Sequence, residues 1–308
     1  MPDKLVSLEE ALALVPDGCA ITAGGFAHSH QPMGFFRALI AEGRKDLSIM
    51  GVAECWVAEW LAAAGMLRRA WFSNFMFEGF GRCRRFSEAI EAGEIETEDH
   101  SHFGMVMRLV AGGQRLPFMP VLSQGGTDIV SVAGFERPED KVQSMTSPFP
   151  DGRVVTVTSP LNPDVAIIHA ARADRLGNVQ LFGASSVIEE QTGAARKVIV
   201  TVEEIVPSST FRARPEATLL PGLMVDAVVH LPFGAWPTGV YGYHDPDLPF
   251  LRDYYEASRE PAACKAWIDR HVRSPRDHWD WLDRAGIVRL LALRTDPVLG
   301  YRPAEDKS

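Results

Sequence analysis

The sequence predicts an α/β fold with an open, mostly parallel sheet, helices on both faces and a helical C-terminal tail. Short apolar runs that stop at glycine alternate with longer segments of helical spacing, which is the order that parallel strands joined by crossover helices require. The later apolar runs are rich in β-branched residues and are bounded by Gly, Pro or Asp, as expected of strands buried on both faces.

The N-terminal elements follow this alternation. The first predicted element is a short capped helix that ends before the turn at residues 16–18. An apolar run preceded by Ser7, Glu9 and Glu10 indicates it. The next elements are predicted as strands over residues 19–23 and 46–52, and as helices over residues 31–42 and 57–65.

The later elements complete the sheet and the tail. The predicted strands cover residues 154–157, 165–169, 197–202 and 227–231, and the predicted helices cover residues 249–258, 261–272 and 275–285. Because no composition break marks a linker, we predict one large α/β domain over residues 1–247 and a helical extension over residues 248–308 packed on it.

Composition and charge exclude several classes of protein. The 308 residues are 46% hydrophobic and 23% charged, which is an ordinary globular composition. Lys and Arg number 31 against 40 for Asp and Glu, and the net charge of −9 opposes the phosphate attraction on which nucleic-acid binding depends. We therefore expect no nucleic-acid partner. The four cysteines lack metal-ligand spacing, so no metal site is predicted.

The N-terminal residues carry two acids in their apolar stretch and no small-residue cleavage site, so they do not resemble a secretory signal. No apolar run approaches the roughly 18 residues that a membrane span needs. The chain is expected to be soluble and cytoplasmic, without a membrane partner.

The loop after the first predicted strand is the first candidate site. Gly24 and Gly25 are followed by Phe26 and His28, and glycines at the carboxyl end of a parallel strand let the backbone approach an anion or a polarised oxygen. A tight turn that needs two glycines is the alternative, and the spacing is not that of a dinucleotide fingerprint.

Two carboxylates lie in apolar surroundings. Glu54 follows the second predicted strand, where burial would raise its pKa and make it a nucleophile or a base. The alternative is an acid that interacts favourably with a helix N-terminus. Glu78, among aromatic residues, either lines an apolar pocket or points outward from a loop.

Histidines occur in two pairs separated by one residue, His28 with His30 and His100 with His102. Each pair suits acid–base chemistry or half of a metal site, and polar loop histidines are the alternative. The sequence contains no G-x-S-x-G, P-loop or H-E-x-x-H motif. This absence suits a protein whose catalytic group lies on another chain.

Several segments together resemble the α (A) subunit of family I coenzyme A transferases of the glutaconate CoA-transferase type, in the family's order over about residues 5 to 260. They are residues 24–26 (GGF) followed by 32–33 (PM), 64–69 (AGMLRR), 86–95 (FSEAIEAGEI), 98–102 (EDHSH), 116–120 (LPFMP), 126–128 (GTD), 162–166 (NPDVA), 169–178 (HAARADRLGN) and 234–238 (GAWPT).

The resemblance implies the NagB/RpiA/CoA-transferase type of fold and a homologous β subunit, in an αβ or α2β2 assembly with the active site at the interface. In such transferases a glutamate, usually on the β subunit, attacks the acyl-CoA thioester and carries the acyl group and then CoA. Coenzyme A thioester is thus the substrate, and no permanently bound cofactor is expected.

The residue patterns and the resemblance together give the candidate residues. The candidate catalytic residues are Glu54, His100 and His102, although family α subunits generally have a small residue where Glu54 stands. The candidate substrate- and CoA-binding residues are Gly24, Gly25, Phe26, His28, Ser73, Asn74, Phe75, Glu78, Ser101, Gln124 and Gly125.

These features predict an α subunit of a heteromeric CoA-transferase, acting on an apolar or bulky acyl group because residues 71–80 are aromatic. One alternative is a CoA-dependent hydrolase that cleaves a C–C bond of a cyclic thioester. The chain is similar to the α subunit of such a steroid-ring-cleaving branch, which has a glutamate in the segment where this chain has residues 100–102, and histidine would act there as general base. A second alternative is a non-catalytic acyl-CoA-binding subunit.

Overall fold

The computed structural model describes residues 2–132, 134–135, 141–296 and 298–301. Its strands are β1 (Ala20–Ala23), β2 (Leu47–Gly51), β3 (Leu67–Phe72), β4 (Met76–Phe77), β5 (Gly81–Arg82), β6 (Glu96–Asp99), β7 (Met119–Val121), β8 (Val142–Thr146), β9 (Val154–Thr158), β10 (Val165–Ala173), β11 (Val179–Gln180), β12 (Lys197–Ile205) and β13 (Ala227–His230).

The helices are α1 (Leu8–Leu12), α2 (Met33–Glu42), α3 (Cys55–Ala63), α4 (Arg84–Glu91), α5 (His102–Gly113), α6 (Ile188–Ala194), α7 (Ser208–Ala213), α8 (Leu248–Ala257), α9 (Pro261–Ile268), α10 (His278–Ala285) and α11 (Ile287–Ala292). A π-helical turn, Asp269–Arg273, continues α9. The predicted cap of α1 is confirmed, since the Ser7 side chain accepts from the Glu10 amide and the Glu10 side chain accepts from the Ser7 amide.

The central sheet has the strand order β13-β12-β10-β1-β2-β3-β6, and every neighbouring pair along it is parallel. The chain starts in the middle at β1, builds outward to β6, and then returns to β10 on the other side of β1. Strand order therefore reverses between β1 and β10, and the carboxyl ends of all seven strands share one edge. In open sheets this crevice is where ligands bind.

Helices cover both faces, as the sequence predicts. Helices α1–α4 and the C-terminal helices share one large apolar core with the sheet, whereas Met105 and Leu109 of α5 and Ile188 of α6 pack on the opposite face. The predicted α/β fold with a parallel sheet is confirmed.

One predicted strand is placed differently from the expectation. Residues 154–157 belong to β9, which pairs antiparallel with β7 and β8 in a separate three-stranded sheet rather than joining the buried parallel sheet. Val154 is 69% exposed. A run of β-branched residues specifies a strand but not its partner, so the local pattern could not distinguish the two sheets.

The C-terminal segment packs on the main core through Phe250, Tyr254 and Trp267. Helix α8 starts at Leu248, where the extension is predicted to begin; the division at that point stays a prediction, and residues 297 and 302–308 lie outside the described residues. Within the described ranges, every helix is too short or too polar to cross a bilayer.

Candidate active site

The loops that follow β1, β2, β3 and β6 lie side by side at the carboxyl edge of the sheet. The Gly24 amide donates to the Ile167 carbonyl of β10 at 2.8 Å, which holds the start of the loop after β1 against β10. Ser73 Oγ donates to the Val52 carbonyl at 2.8 Å, and the His100 amide donates to the Phe72 carbonyl at 2.9 Å. The fold thus brings the predicted candidates of four separate segments to one edge.

At two positions of the loop after β1, the surrounding atoms leave room for no residue larger than glycine. A Cβ on Gly24 would lie 2.8 Å from Ile168 Cγ2. Gly25 has a φ of +102°, and a Cβ there would lie 2.6 Å from the Ser29 carbonyl oxygen. The loop then closes on itself, because the Phe26 and Ser29 amides each donate to the other's carbonyl at 2.9 Å. Phe26 remains 41% exposed at the edge.

Gln31, which the sequence analysis missed, holds this loop in place. Its side chain is fully buried, and its Oε1 accepts from the amides of Trp56 and Val57, both at 3.1 Å, at the start of α3. Its Nε2 donates to the Ala27 carbonyl at 2.5 Å. One glutamine therefore caps α3 and ties the loop after β1 to the loop after β2.

His28 links the loop to the β4–β5 hairpin. Trp56 Nε1 donates to His28 Nδ1 at 2.9 Å, so His28 Nε2 carries the proton and donates to the Glu78 carbonyl at 2.7 Å. Both ring nitrogens are used within the chain. The Glu78 side chain is exposed at the tip of the hairpin.

Glu54 is fully buried, and its carboxylate faces back onto its own loop. Oε2 accepts from the amides of Val52 at 2.6 Å and Ala53 at 2.9 Å, and Oε1 accepts from Gln191 Nε2 of α6. Gly51 makes room for this arrangement, since a Cβ there would lie 2.7 Å from Glu54 Oε2. Burial raises the pKa of Glu54 to about 7, although three hydrogen bonds to the carboxylate oppose the shift.

This raised pKa predicts a pH-dependent stability. The folded chain holds the Glu54 proton more tightly than the unfolded chain, in which Glu54 has its ordinary pKa of 4.5. The contribution of protonated Glu54 to the free energy of unfolding is therefore full at low pH and is lost as pH rises through 7. Between pH 5 and pH 8, wild type should lose about 2 kcal/mol of unfolding free energy relative to Glu54→Gln. Urea denaturation at several pH values measures this difference.

Glu78→Gln, which removes an exposed carboxylate from the same edge, controls for the change of net charge. If plots of unfolding free energy against pH stay parallel for wild type and Glu54→Gln across this range, the assignment of a proton to buried Glu54 is contradicted.

Phe75, the candidate pocket residue in the aromatic segment after β3, belongs to the core rather than to an open pocket. Phe75 is 7% exposed, stacks on Phe72 at 5.4 Å between ring centroids and meets Phe86 edge-on at 5.2 Å. Asn74 is exposed, whereas Ser73 is half-buried. These contacts give no support to the predicted pocket for a bulky acyl group.

His100 and His102 lie in different environments. His100 is buried, and its Nε2 lies 2.9 Å from Glu98 Oε1 and 2.6 Å from Arg108 Nη1. Nδ1 lies 3.2 Å from Gln124 Oε1, so both ring nitrogens have polar partners within this chain. Burial lowers the pKa of His100, because it disfavours the charged ring. His102 is exposed on the first turn of α5.

Gln124 and Ser101 are joined to this network. Gln124 Oε1 accepts from the Ser101 amide at 2.9 Å, and Ser101 Oγ caps α5 by accepting from the Gly104 amide at 3.0 Å. Gly125 is exposed next to Gln124. Arg108, a second residue that sequence reasoning missed, donates to Glu98 Oε1 at 2.6 Å and to the Ser159 carbonyl at 2.9 Å. The His100 network is therefore a buried charge cluster at the end of β6.

A second buried cluster lies on the other side of β1. Glu203 Oε1 accepts from His169 Nε2 at 2.9 Å, and Glu203 Oε2 accepts from the Phe233 amide at 2.8 Å. Burial lowers the pKa of the neighbouring His30 to about 3. Across the described ranges, no three His, Cys, Asp or Glu side chains are grouped so that they could hold a metal ion.

The sheet order, the glycine loop at the strand reversal and the carboxyl-edge site are typical of α/β proteins that bind a ligand where the strand order reverses. The model of the coenzyme A transferase family matches residues 5–231, so the chain belongs to this family. The predicted resemblance is confirmed. Enzymes of this family use CoA thioesters as substrates.

The similarity extends over the whole chain. The α (A) subunit of glutaconate CoA-transferase of Acidaminococcus fermentans is 33% identical over 315 residues, which cover 97% of each chain. The crystal structure of glutaconate CoA-transferase from the same organism matches with a TM-score of 0.93 and 31% identity, over 99% of this chain and 100% of that chain. The cholesterol ring-cleaving hydrolase IpdA subunit of Rhodococcus jostii is 28% identical over 287 residues, covering 90% of this chain and 94% of that protein.

Proposed function

We propose that this chain is the α subunit of a heteromeric CoA-transferase, which moves CoA between an acyl-CoA thioester and a carboxylic acid. The observation that carries the proposal is the correspondence with the α (A) subunit of glutaconate CoA-transferase over 97% of both chains, at higher identity than the hydrolase. The active site is shared with a homologous β subunit, which faces the carboxyl edge of the sheet.

The roles of the candidate residues follow from their contacts. The loop of Gly24, Gly25 and Phe26 forms the wall of the site that this chain contributes. Glu54 and His100 act as positioning residues, because every polar atom of the Glu54 carboxylate and of the His100 ring is engaged within this chain. The nucleophilic carboxylate belongs to the β subunit, and His102 has an exposed ring that is free to meet substrate.

Further contacts to substrate are proposed at the exposed groups of the same edge, which are Asn74, Glu78 and Gly125. Ser73, Phe75, Ser101 and Gln124 support that edge from within, while His28 fixes the glycine loop against the β4–β5 hairpin. A carbonyl oxygen of the thioester that gains charge during attack would be stabilised by backbone donors of such loops.

The test is co-expression of this chain with a second CoA-transferase chain from the same host, followed by kinetics of the purified complex. With glutaconyl-CoA and acetate, and with a series of other acyl-CoA substrates, we expect acetyl-CoA to form together with the free acid. Hydroxylamine added with the thioester alone should trap a glutamyl adduct on the β subunit and inactivate the complex.

Two outcomes separate the alternatives. Opening of the ring of a cyclic acyl-CoA by water, with the thioester retained, no acceptor acid needed and no trapped adduct, would indicate the C–C hydrolase. A complex that binds acyl-CoA but neither transfers nor hydrolyses it would indicate a binding subunit.

A further inference from the structure

Two arginines and two aromatic rings form a surface next to the candidate site, which we call the arginine–aromatic surface: Arg84, Arg252, Phe80 and Tyr255. The guanidinium carbon of Arg84 lies 4.4 Å from the ring centroid of Tyr255, and that of Arg252 lies 5.9 Å from the centroid of Phe80. The two rings are 5.7 Å apart. Each cation is thus held over a ring face.

Among the described residues, neither Arg84 nor Arg252 has a carboxylate partner, which sets them apart from their neighbours. Arg82 pairs with a glutamate at 2.5 Å, and Arg85 and Arg259 each pair with one at 2.6 Å. Their carboxylate partners are Glu91, Glu88 and Glu256, respectively.

Two acids lie close to the arginine–aromatic surface without forming an ion pair with Arg84 or Arg252. Asp253 follows Arg252 and accepts from Trp267 Nε1 at 2.7 Å, which directs its carboxylate toward α9. Glu78 is exposed on the hairpin whose carbonyl accepts from His28. Two guanidinium groups that keep their charge are therefore available to an anion.

The arginine–aromatic surface is continuous with the carboxyl edge of the sheet. The Phe80 ring meets the ring of His28 edge-on at 5.5 Å, and His28 belongs to the glycine loop after β1. A ligand that reaches from this loop across the β4–β5 hairpin would therefore meet Arg252 and then Arg84.

We propose that Arg84 and Arg252 bind the phosphate groups of the CoA nucleotide, an inference that rests on the proposed function. An arginine stacked on a ring keeps its in-plane N–H donors free and presents them in the geometry that phosphate accepts. The chain carries a net charge of −9, so a substrate with several phosphates requires local cations of this kind.

The experiment compares the assembled enzyme with the variant Arg84→Gln/Arg252→Gln and the single variants. The KM for acyl-CoA should rise about tenfold in each single variant and about 100-fold in the double variant, with little change in kcat, since each lost contact is a charge-assisted hydrogen bond. The KM of acyl-pantetheine, which lacks the nucleotide, should be the same in variant and wild type.

The matched control is Arg82→Gln/Arg259→Gln, which removes the same charge from two exposed, paired arginines beside the surface and should leave both KM values unchanged. CoA and 3′-dephospho-CoA distinguish which phosphate is bound. If the double variant loses affinity for CoA but not for 3′-dephospho-CoA, the arginines bind the 3′-phosphate. If it loses affinity for both ligands equally, they bind the pyrophosphate. Both results support the proposal.

Calorimetric titration of CoA into each complex provides a readout that does not need turnover, so failure of the transferase assay would leave this inference testable. An unchanged Kd for CoA in the double variant overturns it. So does loss of the β subunit on gel filtration, which would make the surface a contact between the two chains. If inorganic phosphate and free ADP bind this surface equally well, and the double variant leaves the KM for acyl-CoA unchanged, the surface is a site for free phosphates instead.

Discussion

Replacement of Gly25 by alanine should lower the rate of CoA transfer by the assembled enzyme about 100-fold while the chain still folds. The added Cβ would lie 2.6 Å from the Ser29 carbonyl oxygen and 2.7 Å from the Gln31 amide nitrogen, so backbone must move. The loop that moves is the proposed wall of the active site. A displacement of about 1 Å at such a position is enough for a loss of this size.

Gly43→Ala is the matched control, because Gly43 also has a positive φ, +73°, but a Cβ there meets nothing within 4 Å. It should cost about 1 kcal/mol of stability through backbone strain and leave kcat/KM unchanged. Initial rates of CoA transfer and urea denaturation of both variants are the measurements. Equal rates for Gly25→Ala and Gly43→Ala would show that the loop does not shape the active site.

Replacement of Arg108 by methionine should destabilise the chain by about 3 to 5 kcal/mol, because it leaves the carboxylate of Glu98 buried without its cation. The Arg108 and Glu98 side chains are only 4% and 6% exposed at a separation of 2.6 Å. Arg82 and Glu91 are 2.5 Å apart but 50% and 67% exposed, so Arg82→Met should cost less than about 1 kcal/mol. Urea denaturation at pH 7 compares the two variants.

The double variant Glu98→Gln/Arg108→Met tests the reason for the loss. Removing the carboxylate charge should recover a large part of the stability that Arg108→Met removes, since the cost comes from an uncompensated buried charge. If the double variant is as unstable as the single one, the loss comes from packing around the Arg108 side chain.

The sheet could be predicted from the sequence because its strands are short, apolar and bounded by residues that end them. In β10 and β12 burial is nearly unbroken along the strand, as expected for strands covered on both faces, and these predicted strands are confirmed. Strand pairing is decided by contacts distant in sequence, which is why the local pattern places residues 154–157 in the wrong sheet.

The candidate site could be predicted in part. The glycines after β1 and the acid after β2 can be found because strand ends and unusual residues mark them. Gln31 and Gln191 were missed, since an amide that accepts from α3 or donates to Glu54 looks like any polar residue of a helix or loop. Residues 54 and 191 are far apart in the chain, and only the fold makes them neighbours.

The C-terminal helices have a consequence for synthesis of the chain. Trp60 meets Trp267 at 5.7 Å between ring centroids, and Tyr254 donates from its hydroxyl to buried Glu59 at 3.0 Å. Trp60 and Trp267 are about 200 residues apart, so at ordinary translation rates the helices that cover α3 are synthesised roughly 10 to 40 s after it. During that interval the nascent chain exposes an aromatic surface and is prone to aggregate. The chain is therefore a candidate substrate for chaperones that act during translation.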